Sequence, residues 1–212
     1  HFAADVIAGH KTGFFFDQRD NRARIGQLID GHGGLERVLN VFAYTGGFSL
    51  YAARGGASAI TSTDLSAPAL AAAEVNFGLN RHIPAVAAAV HRTVVGDAFA
   101  VLTELGAQEI GFDAVLVDPP AFAQRRTEVS AALKAYYRLT ELALAVLRPG
   151  GLLMISSCSS RVEAAAFYQT VTSAANNSGR LLSEHGRTGH PLDHPVGFPE
   201  GAYLKAFFAW AR

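Results

Sequence analysis

Asn40-Val41-Phe42-Ala43-Tyr44-Thr45-Gly46-Gly47-Phe48 is the stretch that decides the fold. The apolar run Arg37–Phe42 ends in a glycine pair, and helical periodicity follows over Phe48–Arg54. A strand that turns through glycine directly into a helix opens a β-α-β unit. The same alternation continues outward. Strands are expected at Ala59–Asp64, Val90–Val95, Phe112–Asp118 and Gly151–Ser157. These runs are mainly β-branched or otherwise apolar, as parallel strands buried on both faces are. Between them, helical patterns cover Ser66–Leu79, Ala98–Leu105 and Ser130–Leu147. A last helix, Arg161–Ser178, precedes two extended runs, Arg180–Arg187 and Tyr203–Arg212, which suit an antiparallel edge hairpin. Upstream, Phe2–Asp17 reads as two extended runs with a turn at Gly9–Gly13, and Asp20–Asp30 as a helix stopped by Gly31. The whole is an α/β chain with a doubly wound, mostly parallel sheet.

Bulk properties bound what such a chain does. Its 212 residues suffice for one large domain, and with 50% hydrophobic and 17% charged residues it is not a disordered segment. Eighteen basic residues balance eighteen acidic ones, so no overall field draws the chain to nucleic acid and any basic patch is local. The single cysteine, Cys158, excludes an intramolecular disulfide and suits a reducing, cytoplasmic setting. No apolar run approaches the length of a membrane span. The chain opens on His1 with nothing resembling a signal peptide, which reads as a fragment of something longer.

In doubly wound sheets ligands bind at the carboxyl ends of the strands. Gly46-Gly47 after the first strand lets backbone approach a ligand, but the glycine spacing that seats a dinucleotide pyrophosphate is missing. At the second strand end, Asp64 can accept from a ribose diol, because Ser66 already serves as the helix cap with Pro68 in the first turn. Asp97 ends the third strand, where it either accepts from an adenine amine beside Phe99 or caps the next helix. The fourth ends in Asp118-Pro119-Pro120, a carboxylate before a rigid turn that cannot be helix. The fifth ends in Ser156-Ser157-Cys158-Ser159-Ser160. A lone cysteine is commonly a small core residue, but this one stands at the active edge before a helix whose amino end favours thiolate.

Five such strand ends in this order resemble class I S-adenosylmethionine-dependent methyltransferases. Three further stretches narrow the resemblance. Lys11-Thr12-Gly13-Phe14-Phe15-Phe16-Asp17-Gln18-Arg19-Asp20-Asn21-Arg22 resembles a signature that precedes the methyltransferase core. Ser157-Cys158-Ser159 is similar to the catalytic motif of cytosine-5 RNA methyltransferases. His194-Pro195-Val196 with Phe198-Pro199-Glu200-Gly201-Ala202-Tyr203-Leu204-Lys205 resembles a carboxyl-terminal signature. Together they look like the bacterial 23S ribosomal RNA cytosine-5 methyltransferases of the large-subunit methyltransferase I type.

That resemblance implies a Rossmann-like seven-stranded sheet behind an N-terminal β-hairpin, with residues 1–19 as the hairpin extension and 20–212 as the methyltransferase domain. It implies S-adenosylmethionine as cofactor and ribosomal RNA as substrate. The cofactor pocket would use Lys11, Thr12, Gly13, Phe15, Asp17, Gln18 and Arg19 from the hairpin. Phe42, Ala43, Tyr44, Thr45 and Gly46 would wrap the methionine moiety. Asp64 would hold the ribose and Asp97 with Ala98 the adenine, with Leu65 and Ser66 also in the cofactor pocket. Asp118 and Pro119 would face cofactor and base. Cys158 and Asp118 would be catalytic, the thiolate adding to carbon 6 so that carbon 5 becomes nucleophilic. The family's usual PUA-like RNA-binding domain has no counterpart in this sequence. The strand-four motif also lacks the second cysteine of some related enzymes, which leaves the base for the carbon-5 proton unassigned.

Two alternatives remain at this level: a methyltransferase acting on another nucleobase or a non-RNA target without covalent catalysis, and a non-catalytic cofactor- or RNA-binding module. His190 and His194 sit among Pro191 and Pro195 in an irregular loop, so no metal is expected. Arg125, Arg126, Lys134 and Arg138 can touch RNA phosphate, although a solvated helix face is the simpler use. The oligomeric state is open between monomer and homodimer.

Overall fold

A computed structural model describes residues 1–3 and 14–212. Seven strands, β1 Arg37–Val41, β2 Ala59–Asp64, β3 Val90–Val95, β4 Phe112–Val117, β5 Leu147–Ser157, β6 Leu182–Thr188 and β7 Lys205–Ala211, form one sheet in the order β3-β2-β1-β4-β5-β7-β6. The helices are α1 Arg19–His32, α2 Gly47–Arg54, α3 Ala67–Leu79, α4 Pro84–Ala88, α5 Ala98–Ala107, α6 Val129–Val146 and α7 Ala164–Asn177. The chain divides into two compact units, His1–Ala98 and Phe99–Arg212.

In the first unit β1 pairs parallel to β2, and β2 to β3. The expected hairpin lies mostly outside the described residues. At its described end Phe16–Gln18 form a 3-10 turn rather than extended backbone, because the Arg19 amide closes onto the Phe16 carbonyl and leads into α1. Helix α1 runs past Gly31 to His32; it ends only where Gly33 takes a positive φ of 64°. The apolar strand β3 is not buried on both faces as expected. It is an edge strand, with Val90 54% and Val95 56% exposed. Composition cannot tell an edge strand from a central one.

A buried polar relay ties this unit together. Asn40 Nδ2 donates to Ser49 Oγ at 2.8 Å, Ser49 and Ser62 hydroxyls meet at 2.7 Å, and Ser62 Oγ meets His91 Nε2 at 2.8 Å. The imidazole stacks on Phe77 with centroids 3.8 Å apart. Burial lowers the His91 pKa from 6.5 to about 4, with the Glu74 charge pulling the other way. A second device shapes the turn after β1. Phe42 and Tyr44 hold positive φ values of 60° and 48°, which cost side-chain-bearing residues free energy. Asn76 of α3 donates to the Thr45 carbonyl at 2.9 Å and fixes the turn. Gly46, with φ of 76°, is packed so closely that an added Cβ would stand 2.8 Å from Ala73 Cβ.

In the second unit β4 and β5 are parallel, and β7 lies antiparallel between β5 and β6. The two terminal strands are antiparallel as expected, but only β6 is an edge. Tyr136 of α6 and Phe167 of α7 are fully buried, their rings 5.1 Å apart and edge to face. Strand β5 begins four residues before Gly151, because Leu147 already pairs with Phe112. Helix α7 starts at Ala164 rather than Arg161, behind the extended residue Glu163.

Two outcomes follow. Because His91 is held neutral, its contribution to stability is complete above about pH 6.5, falls as the unfolded chain takes up the proton, and is gone below about 4. Melting temperature measured from pH 8 to 4 should decline across that window, and less steeply in a His91→Gln variant; parallel curves would contradict this. Gly46→Ala should lower unfolding free energy by about 1–3 kcal/mol in urea titrations, from positive φ and overpacking together.

Candidate active site

The first unit gathers potential cofactor ligands at the ends of β1, β2 and β3. Asp64 receives two backbone amides, Tyr44 N–H at 2.8 Å on Oδ2 and Ser66 N–H at 2.9 Å on Oδ1. The carboxylate is thereby aimed and still has lone pairs for a diol. Ser66 caps α3 as expected, its Oγ accepting from Ala69 N–H at 3.3 Å. Leu65 is 75% exposed at the tip of β2, an apolar side chain left for a flat ligand. Asp97 is exposed and Ala98 buried at the end of β3. Phe42 and Tyr44 are half-buried, Ala43 and Thr45 buried. The buried atoms Asn40 Oδ1 and Thr63 Oγ1 have no hydrogen-bond partner among the described residues. Two orphaned acceptors beside this edge fit a pocket completed by a polar ligand.

Of the amino-terminal candidates, Lys11, Thr12 and Gly13 lie outside the described residues. Phe15 stands edge-on to Tyr44 with centroids 5.2 Å apart, and its carbonyl accepts from Arg22 Nη1 at 2.7 Å. Gln18 is buried and accepts from Asn21 at 2.6 Å. Asp17 is half-buried, whereas Arg19 is exposed and pairs with Asp20 at 3.0 Å.

The second unit gathers the groups suited to chemistry on a base. Asp118 is half-buried at the end of β4, and its Oδ1 accepts a short hydrogen bond from Ser156 Oγ. Pro119 is buried and Pro120 exposed in an irregular turn. The half-buried Cys158 thiol donates to the Pro119 carbonyl at 3.7 Å, which puts the sulfur against the Asp118-Pro119-Pro120 turn. Tyr136 OH donates to Ser157 Oγ at 2.9 Å, and burial keeps that phenol in its proton-bearing form. Ser159 Oγ donates to the Ala123 carbonyl at 2.6 Å. Cys158 precedes the first residue of α7 by six positions (164 − 158), outside the first turn where a helix end acts strongly. The expected support of the thiolate by that helix end is therefore weak.

Lys205 was absent from the sequence-derived candidates as an individual residue, although a lone cation in the apolar run Leu204–Ala211 marks it. Only 5% exposed, it sits opposite Ser157 in the β5–β7 register. Burial pushes its ammonium down to about 8, opposed by the negative charge of Cys158. A cavity of about 400 Å³ opens beside it, lined by Ser160, Glu163, Tyr168 and Arg187 among others. Tyr136, Ser156 and Asn76 were likewise missed: each supports a candidate from another element. The basic residues Arg125, Arg126, Lys134 and Arg138 are exposed, Arg138 pairing with Glu141 at 3.4 Å. His190 and His194 stack at 4.2 Å. Among the described residues no group of three or more His, Cys, Asp or Glu is placed to hold a metal ion, and no helix is long and apolar enough to cross a membrane.

Comparison with known proteins agrees with this layout. A family model described as S-adenosylmethionine-dependent methyltransferase matches residues 1–200. The chain is 47% identical over 207 residues to a ribosomal RNA large subunit methyltransferase of Deinococcus radiodurans, covering 98% of this chain and 49% of that one. It is 39% identical over 210 residues to ribosomal RNA large subunit methyltransferase I of Photobacterium profundum, covering 98% and 51%. Among solved structures, SMU.776, described as a methyltransferase complexed with S-adenosylhomocysteine, superposes with a TM-score of 0.79 at 30% identity, over 95% of this chain and 51% of that one. The chain thus spans about half the length of the relatives it matches. By its family model, its sheet order and the ligand-ready strand ends, the chain belongs to the S-adenosylmethionine-dependent methyltransferase family.

Proposed function

We propose that this chain methylates carbon 5 of a cytosine in large-subunit ribosomal RNA, through a covalent adduct on Cys158. The observation that carries the reading is the seat of the only thiol in the chain, against the Asp118-Pro119-Pro120 turn. The names of the relatives, both large-subunit ribosomal RNA methyltransferases, support the substrate class.

S-adenosylmethionine supplies an electrophilic methyl group when bound. In the first unit Asp64 would hold its ribose, the strained Phe42–Gly46 turn its methionine moiety, and Asp97, Ala98 and Leu65 its adenine. Phe15, Asp17, Gln18 and Arg19, with Lys11, Thr12 and Gly13, would close that pocket. In the second unit the Cys158 thiolate would add to carbon 6, forming an S–C bond and moving electron density to carbon 5. Asp118, aimed by Ser156, would accept from the ring amine and, carrying a proton once the base is bound, donate it to N3 as negative charge develops on addition. Pro119 would wall the base. Carbon 5 would take the methyl group, with S-adenosylhomocysteine as the leaving group; its proton would then pass to a base or to water, and the thiolate would leave as the ring double bond re-forms. A paired target base would first have to leave its helix.

Incubation of the chain with large-subunit RNA and labelled cofactor should yield 5-methylcytidine by nucleoside mass spectrometry. Cys158→Ala should lose at least about 10³-fold in rate while still binding the cofactor. Asp118→Asn should lose about 10²–10³-fold. Wild-type rates from Cys158→Ala, or a methylated nucleoside other than 5-methylcytidine, would overturn the reading. Asp64→Ala should weaken cofactor binding about tenfold or more by calorimetry, from loss of charged hydrogen bonds.

A further inference from the structure

We propose that Lys205 is the positioning residue of the Cys158 thiol, its ammonium fixing the loop that carries the cysteine and favouring the thiolate by its charge. The inference rests on the covalent reading above. It starts from a buried cation that the mechanism does not use. Lys205 is 95% inaccessible, yet its hydrogen-bond partners among the described residues are two carbonyls, Ser159 O at 2.5 Å and Tyr203 O at 3.1 Å. A buried ammonium without an anion is costly, and proteins keep one where its charge is used. Structural need alone does not account for it, because any neutral donor would satisfy two carbonyls.

Geometry directs that charge to the cysteine. Lys205 is the first residue of β7 and lies opposite Ser157, the last residue of β5. Its ammonium grips the carbonyl of Ser159, the residue directly after Cys158. Ser159 is also tied through its hydroxyl to Ala123, in the chain that follows the Asp118-Pro119-Pro120 turn. The cysteine is thus held between two anchored neighbours, Ser157 bonded by Tyr136 and Ser159 bonded by Lys205.

Two of the described groups near the sulfur act against ionisation. The Pro119 carbonyl accepts from the thiol and so favours the protonated form. Asp118 at the end of β4 carries like charge, and Tyr136 of α6 is a neutral phenol. On the far side of Lys205 the cavity presents Glu163 from the start of α7 and Arg187 from β6, which oppose each other in sign. The charges of Lys205 and Cys158 act on each other, an effect seen in the lysine, whose proton the cysteine's charge helps retain.

With one cysteine in the chain, alkylation by iodoacetamide across pH 5–10 reads this thiol alone. The wild-type midpoint should fall below the ordinary value of about 8.5. Lys205→Gln keeps a donor for the two carbonyls but removes the charge, and should raise the midpoint by about one unit. Lys205→Arg should stay near wild type. A Lys205→Gln variant with unchanged circular dichroism and a wild-type midpoint would overturn the proposal. So would a wild-type midpoint at or above the ordinary value, a result that needs no variant to fold. Alkylation does not depend on methyl transfer. A shifted titration alongside a fully active Cys158→Ala would therefore sink the covalent mechanism and leave the lysine's effect on the thiol standing.

Discussion

Parallel pairing forces strand ends to one edge, and that constraint governs the rest. In the first unit β1, β2 and β3 run together, and in the second β4 and β5 do. Each return passes through a helix, so the loops that begin the crossovers collect at the carboxyl edge. Backbone groups there have left the ladder and need other partners. Asp64 is one answer: a single carboxylate takes the amides of Tyr44 and Ser66, joining the turn after β1 to the start of α3. The strain at Phe42 and Tyr44 is held by that carboxylate and by Asn76. Such strain is kept where backbone must meet a ligand.

The second unit has a carboxyl edge of its own, with different groups. There Ser156 bonds the Asp118 carboxylate and the Cys158 thiol meets the Pro119 carbonyl. A carbonyl and a carboxylate oppose the thiolate, and a helix that begins too far downstream offers little support. The antiparallel strand β7 changes the balance. By running against β5, it brings its own first residue to the end of β5, and that residue is a lysine. An added antiparallel strand thus delivers charge to an edge that parallel strands alone would reach only through loops.

Much of the fold was legible because short runs rich in apolar and β-branched residues alternate with helical periods. Strands β2 and β3 have the expected bounds, and β1 and β4 differ by a single residue. What failed is instructive. The expected strand Gly151–Ser157 leaves out residues 147–150, which belong to β5 because pairing begins at Leu147. Helix α4 is five residues long, too short to show a period, with Pro84 its only signal. The exposure of β3 is set by sheet order, which no local window contains. In the candidate site, Asp64, Asp118 and Cys158 could be named from the sequence because chemistry-bearing residues at strand ends stand out. Ser156, Asn76 and Lys205 were not, since each acts on a residue between 31 and 46 positions away. Tyr136 and Ser157 likewise meet across 21 positions.

The central claim is that the chain's one sulfur bonds to a cytosine during methyl transfer. RNA carrying 5-fluorocytidine tests it most directly, because fluorine at carbon 5 cannot leave as a proton does and the adduct is trapped. Incubated with that RNA and S-adenosylmethionine, the chain should form a denaturation-resistant complex. Its tryptic peptide should carry a methylated fluorocytosine nucleotide on Cys158. Turnover of ordinary RNA to 5-methylcytidine with no trapped complex would contradict the account.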